Sequence, residues 1–449
     1  MKNRLLKNTV IFAVGNLGSK IITFLLVPLY TYVLSTQEYG KVDLVTTSLN
    51  LLVPVVLLNI FDSSLRFTLD KKEKNEDVLS SSILVFIFTM ILSLFIALVI
   101  VTKSDSKEYL YYYLILFSQG LSQILSQYAR GIGKVKSFAF SGILYTFVLM
   151  AANIYLLVWK KVGINGYFLS MILANILTCI FLLIVIGKLR FSFNKKLLLS
   201  MLRYSIPLIP NSIMWWIMNA SDRYMISYFL GFEVNGLYAV ANKIPAILNT
   251  LYLIFNQAWQ IEAVSNKNEN SQTKLFNKVI ILNLLVSSIM IVCSKFLVPI
   301  FGADYSDFYK YTPFLIVATM FSILSTFLGV NYLVIKDTKK IMKTTINGAI
   351  INLVLNLLFI PSIGANGAAL ATFISFFYVF FVRFTDCKKS NFIKTNLKVY
   401  LPAFIVCVFL GFYQIVIDTS FVIELVLLIL IIILIIKGGK KNENISNGC

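Results

Sequence analysis

Apolar runs of about twenty residues recur from one end of the chain to the other, separated by short polar segments rich in Lys and Arg. A run of that length is what a helix needs to cross a hydrocarbon core of ~30 Å, because each residue rises ~1.5 Å. The pattern predicts about fourteen spans, at about 9 to 34, 41 to 62, 79 to 102, 108 to 129, 137 to 160, 165 to 187, 204 to 230, 237 to 258, 277 to 301, 310 to 334, 341 to 361, 366 to 386, 397 to 416 and 419 to 437. An even number of spans places both termini on one side.

Composition agrees with this reading, since the 449 residues are 58% hydrophobic and only 13% charged. The formal net charge of +20 suits a nucleic-acid partner only if it forms a soluble patch, so its placement decides. With alternate loops assigned to the side of the termini, 30 of the 40 Lys and Arg fall there, 6 on the other side and 4 within spans. That bias puts both termini in the cytoplasm and makes the basic balance a matter of topology, with no nucleic acid expected. Lys2, Arg4 and Lys7 imitate the start of a signal peptide. The apolar stretch that follows is too long, contains Lys20 and Pro28, and lacks a small-residue cleavage site, so it reads as a retained first span.

Internal repetition organises the chain further. The stretch LSTQEYGKVDLVTTSLNLLVP (34 to 54) parallels LGFEVNGLYAVANKIPAILN (230 to 249), Glu38 matching Glu233 and Gly40 matching Gly236. Gly163, Asn165 and Gly166 likewise match Gly364, Asn366 and Gly367. Two matches in the same order predict a duplicated six-span unit, with the two halves sharing one orientation around a site. The expected fold is an all-α integral membrane protein of two pseudo-symmetric six-helix lobes, 1–200 and 201–390, with two further spans and a cytoplasmic tail in 391–449.

Charges inside spans carry the candidate chemistry. An ionisable side chain at a bilayer centre costs roughly 2.5–3.5 kcal/mol on insertion scales, so it normally faces a bundle interior or a water-filled cavity. Lys20 shares a helical face with Asn16 and Thr23; Asp222 and Arg223 lie on a stripe with Asn219 and Ser227; Asn242, Asn249 and Asn256 recur every seventh residue beside Lys243, Thr250 and Gln257. Lys295, near the outer end of its span, reads as a lysine snorkelling to the surface. Three cations with few acids suit an anionic ligand, phosphates being held by charge-assisted hydrogen bonds and hydroxyls by the amides, so Lys20, Arg223, Lys243, Asn16, Asn242 and Asn249 are the candidate substrate residues. A phosphate-linked sugar fits. Arg66 and Glu262 are candidates for an inner gate and Glu38 for an outer one, while Asp43 or Asp222 could carry a coupling proton or sodium ion.

Much chemistry is absent from the sequence. There is no histidine, no phosphate-binding glycine loop and no cluster with metal spacing, which excludes a fused ATPase or zinc enzyme and leaves no cofactor expected. The five cysteines (Cys179, Cys293, Cys387, Cys407 and Cys449) are scattered and form no disulfide framework. The short outer loops count against a sugar-chain polymerase or ligase.

The first span with Gly15, Asn16 and Pro28, the turn STQEYG, and above all DRYMISYFLGFEVNGLYAVANK (222 to 243) resemble the Wzx-type polysaccharide exporters. These form a branch of the multidrug/oligosaccharidyl-lipid/polysaccharide (MOP) flippase superfamily, which also holds the lipid II flippases and the MATE drug exporters. The resemblance implies a two-lobed, non-enzymatic flippase of the bacterial inner membrane that moves undecaprenyl-pyrophosphate-linked oligosaccharide units to the outer leaflet by alternating access. It implies a pyrophosphate held by the cations Lys20, Arg223 and Lys243. A lipid-linked oligosaccharide and the bilayer are the expected partners, with a polysaccharide polymerase and glycosyltransferases working alongside. The other readings are a MATE-like multidrug exporter, a lipid II-type flippase, or a non-transporting scaffold of a polysaccharide assembly complex.

Overall fold

The computed structural model describes residues 18 to 447 apart from 21, 71–72, 105–107, 188–190, 266–268, 336 and 418–419. Among the described residues all regular structure is helical. The helices are α1 (Gly18–Val33), α2 (Thr36–Val56), α3 (Ile60–Asp70), α4 (Asn75–Ser104), α5 (Glu108–Gly131), α6 (Val135–Asn153), α7 (Ile164–Ile186) and α8 (Lys195–Ser205). They continue with α9 (Ile209–Leu230), α10 (Phe232–Ser265), α11 (Glu269–Cys293), α12 (Thr312–Val334), α13 (Thr338–Ile363), α14 (Ala365–Lys389), α15 (Leu401–Val416) and α16 (Phe421–Asn447).

Nine described helices are long and apolar enough to cross a membrane, or ten if the bent pair α2–α3 counts as one span. The hydropathy pattern predicts about fourteen. A helix occupies every predicted stretch, and the difference lies in four of them. The apolar helix α15 is 16 residues long, and Gly18–Val33 is likewise shorter than a crossing helix within the described residues. Helices α5 and α9, with 24 and 22 residues, are long enough but interrupted by polar side chains.

The described residues form two compact units. The first comprises residues up to Leu34 together with Lys41–Trp216, and the second comprises Ser35–Gly40 together with Ile217 onward. Helix α2 therefore begins in the second unit and continues in the first. Within the first unit α7 packs on α5 and α6, and α3 and α4 pack on α5. Within the second unit α14 packs on α12 and α13, α10 and α11 pack on α12, and the pair α15–α16 covers α11. The second pattern repeats the first. Helix α12 is the axis of the second core, with 83% of its most apolar stretch buried, and Trp259 of α10 stacks on its Phe327 at 4.5 Å.

The two units also share a turn, and its cause is local. Gly163 (φ 67°, ψ −148°) precedes α7 and Gly364 (φ 72°, ψ −152°) precedes α14, a backbone region that only glycine occupies readily. In each case the amide three residues on, Gly166 or Gly367, donates to that glycine's carbonyl at 2.9 Å. The repeat read from the sequence is thus a repeat in backbone geometry. Replacing Gly163 or Gly364 by Ala is expected to lower stability by about 1–3 kcal/mol, measurable as a drop in Tm of the detergent-solubilised protein.

Helix α2 ends in a break rather than a cap. Pro54 lies inside its last turn, Leu58 and Asn59 both take φ 52°, and α3 leaves at 54°. The Asn59 amide reaches back to the Pro54 carbonyl at 2.8 Å, and its side-chain amide donates to Ser212 Oγ at 3.3 Å. A left-handed pair without glycine is held in place by these bonds.

Candidate functional site

The second unit places the polar stretch that stands out in the sequence on two consecutive helices, α9 and α10. Asp222 on α9 is buried, and its carboxylate accepts a hydrogen bond of 2.7 Å from the Tyr238 hydroxyl of α10. Tyr238 is itself fully buried, and its main-chain carbonyl accepts from the Asn242 side-chain amide at 2.9 Å. A buried carboxylate needs such donors, because an unpaired one would be strongly disfavoured in an apolar core. Asp222, Tyr238 and Asn242 therefore form one connected polar strip across the two helices. The main-chain amide of Arg223 also donates to Asp222, at 2.9 Å.

Arg223 and Lys243 sit at the edge of this strip and are half-exposed, as are Asn242 and Asn249. Farther along α10, Asn256 is buried and accepts from the Tyr252 hydroxyl at 3.4 Å. The sevenfold spacing of the asparagines thus runs from half-exposed positions into packed ones. Pro245 lies inside α10 and cannot donate to the Ala241 carbonyl four residues before it, which weakens the turn that carries Asn242 and Lys243. A guanidinium fork, an ammonium and two amides, all partly accessible, can hold an anionic group and the hydroxyls beside it.

In the first unit Lys20 is exposed on α1. Asn16, like Gly15, lies outside the described residues. Asp43 is 4% exposed on α2, within electrostatic reach of Tyr167. Nearby in the same unit Asn153 donates to the Tyr30 hydroxyl at 2.9 Å, and Tyr30 meets Tyr167 edge-on at 5.1 Å. Arg66 is exposed on α3 and forms an ion pair with Asp70 one turn later at 3.4 Å.

In the second unit Glu262 is exposed on α10. Glu38 closes a reciprocal cap: Ser35 donates from its amide (3.0 Å) and hydroxyl (3.1 Å) to the Glu38 carboxylate, and the Glu38 amide donates to Ser35 Oγ at 3.2 Å. The signal for it is the spacing Ser-x-x-Glu.

Two charged residues differ from the sequence-based reading. Lys295 does not merely snorkel: its ammonium lies 2.6 Å from Glu424 of α16, whose side chain is fully buried. Arg383, close to the end of the predicted span 366 to 386 and not among the expected buried charges, is 8% exposed. Its guanidinium donates to Thr344 Oγ1 (3.1 Å), the Ser325 carbonyl (3.0 Å) and Thr345 Oγ1 (3.1 Å). Both are long side chains recruited by partners distant in sequence, which hydropathy cannot register.

This fold is similar to that of solved MOP-type transporters. The lipid II flippase MurJ in an inward closed conformation aligns with a TM-score of 0.70 at 16% identity, covering 95% of this chain and 98% of that one. An outward-facing multidrug resistance MATE family transporter of the MOP superfamily aligns with a TM-score of 0.61 at 15% identity, covering 86% and 95%. An inward-facing one aligns with 0.65 at 14% identity, covering 84% and 94%. A search of curated proteins finds no match. Fold and apolar helices define a multi-pass membrane architecture like that of solved transporters of the MOP superfamily. Residues 5–260 match the family described as polysaccharide biosynthesis protein, and the chain belongs to that family.

Proposed function

We propose that this protein flips undecaprenyl-pyrophosphate-linked oligosaccharide units from the inner to the outer leaflet of a bacterial membrane by alternating access, supplying cell-surface polysaccharide synthesis. The observation that carries the reading is the pair of half-exposed cations Arg223 and Lys243 beside Asn242 and Asn249, with the neighbouring acid Asp222 bound to buried Tyr238. Such a surface favours an anionic headgroup over a cationic drug. Membership of a polysaccharide biosynthesis family supports the same cargo. Drawing a charged, sugar-bearing headgroup through bare hydrocarbon would cost many kcal/mol, and a polar route lined by cations removes most of that cost.

The test is flipping by the protein reconstituted in vesicles with a pyrophosphate-linked sugar lipid. Arg223→Gln with Lys243→Gln is expected to reduce the rate at least about ten-fold, the loss of one charge-assisted contact of about 1.5 kcal/mol or more. Lys20→Glu is expected to abolish it while sparing transport of a cationic dye. Wild-type rates in these variants, or dye transport that depends on Arg223 and Lys243, would exclude the proposed cargo in favour of a drug exporter. Cells lacking the protein are expected to accumulate lipid-linked units on the cytoplasmic leaflet; a non-transporting scaffold would leave them distributed as before. Either Asp43 or Asp222 is the carboxylate we propose for a coupling ion. Their replacement by Asn is expected to remove any dependence of the rate on proton or sodium gradients.

A further inference from the structure

Helix α8 is an amphipathic element between the two halves of the sequence, and its faces differ in chemistry. At 100° per residue, Leu197, Met201 and Ser205 form one sector, and all are buried within the first unit. They are fixed there by Ser63 Oγ, which donates to the Met201 carbonyl at 2.9 Å, and by an edge contact of 6.2 Å between Phe67 and Tyr204. The next sector holds Leu198 and Leu202, half-buried, and Leu199, 49% exposed. Lys195, the first residue of the helix, falls at the N-terminal end of that sector, and beyond it lie Arg203 and Lys196; all three cations are exposed.

The segment leading in continues the pattern. Phe191 is 71% exposed and Phe193 is 68% exposed. Ser192 between them is pinned to α4, its amide donating to Ser80 Oγ at 3.1 Å and its hydroxyl to the Asp77 carboxylate. The two rings are therefore presented outward by a tethered backbone. Asn194 then caps α8 by accepting from the Leu197 amide at 3.1 Å.

Eleven residues span only about 16 Å, half of a hydrocarbon core, so α8 cannot cross. An apolar sector wedged between a protein-facing sector and a cationic one is the arrangement of a helix lying in the plane of a membrane interface. Residues 191 to 206 contain no Asp or Glu, and among the described residues no ion pair engages Lys195, Lys196 or Arg203.

We infer that α8 with Phe191 and Phe193 is an interfacial anchor that binds anionic phospholipid in the leaflet faced by the basic loops. The rings and leucines enter the acyl boundary while the three cations meet phosphate headgroups. This surface shares no residue with the Arg223 and Lys243 site and does not depend on the proposed cargo.

The experiment uses the full chain in phosphatidylcholine vesicles containing phosphatidylglycerol and no sugar lipid. Spin-labelled analogues of each phospholipid report which one the protein retains at its surface. Wild-type protein is expected to prefer phosphatidylglycerol, and Lys195→Gln, Lys196→Gln and Arg203→Gln together are expected to lower that preference at least about five-fold, the effect of a single surface cation. Salt at about 1 M, where the screening length is about 3 Å, is expected to do the same to the unaltered protein, which keeps the test valid should the triple variant fold poorly. An unchanged preference in the triple variant, or none in the wild type, overturns the inference, the latter pointing to an acidic protein partner instead.

Discussion

Lys295→Met is expected to be the most destabilising single substitution in the second unit, costing about 5 kcal/mol. It leaves the fully buried Glu424 carboxylate without the ammonium 2.6 Å away, and the second carboxylate oxygen already lacks a hydrogen-bond partner. Glu424→Leu is expected to cost less, about 3 kcal/mol, because the Lys295 side chain is 25% exposed and can turn toward the surface. The double variant is expected to recover most of the loss, since a buried ion pair replaced by apolar groups of similar size is often close to neutral. Thermal unfolding in detergent, followed by labelling of the buried thiols Cys179, Cys387 and Cys407, measures all three. If the double variant is as unstable as Lys295→Met, the stranded charge is not the cause.

Gly236→Ala is expected to be nearly as damaging, about 3 kcal/mol, and so is Gly40→Ala. A Cβ at Gly236 would lie 2.0 Å from the Thr36 carbonyl oxygen, and one at Gly40 would lie 1.9 Å from that of Phe232. Each obstacle is main chain, so no rotamer change relieves it. The contact is reciprocal, the first turn of α2 meeting the first turn of α10, and the Asn235 side chain bonds the Gly40 carbonyl at 2.9 Å. Once one alanine has forced the two turns apart, the second meets open space. The double-mutant cycle is therefore expected to show a coupling of about 1–3 kcal/mol. Simple additivity would mean that the two glycines serve separate turns.

That contact bears on how far the sequence was legible. Gly40 and Gly236 stood out as matching turn residues, and the match was real, but its physical cause is close approach of two helix starts. Sequence pattern registers a glycine without saying what comes near it. The turns at Gly163 and Gly364 were more transparent, because a left-handed glycine three residues before another glycine is a local device. The apolar periods of the helices were equally plain, being set by bilayer thickness rather than by neighbours.

Features that depend on partners distant along the chain leave no mark in a local pattern. Arg383 sits nearly two turns from the end of α14, close to the end of the predicted span 366 to 386; its burial follows from the Thr344 and Thr345 hydroxyls of α13. Tyr238 looked like an ordinary aromatic until Asp222 supplied its partner. Helices α3 and α8, 11 residues each, are too short and amphipathic to mark a hydropathy pattern set by membrane spans. Glu38, by sequence the repeat match of Glu233 and a candidate outer gate, has a local structural task in the Ser35 cap.

The ion pair between Lys295 and Glu424 has a consequence for biogenesis. A ribosome makes the chain from its amino end, so the lysine enters the translocation machinery 129 residues ahead of the glutamate that will neutralise it. Through that interval the nascent protein carries an ammonium awaiting its counter-ion. Maturation of the carboxyl-terminal half is thereby tied to the arrival of the last helix, and chains released early would present quality-control proteases with an unmatched charge.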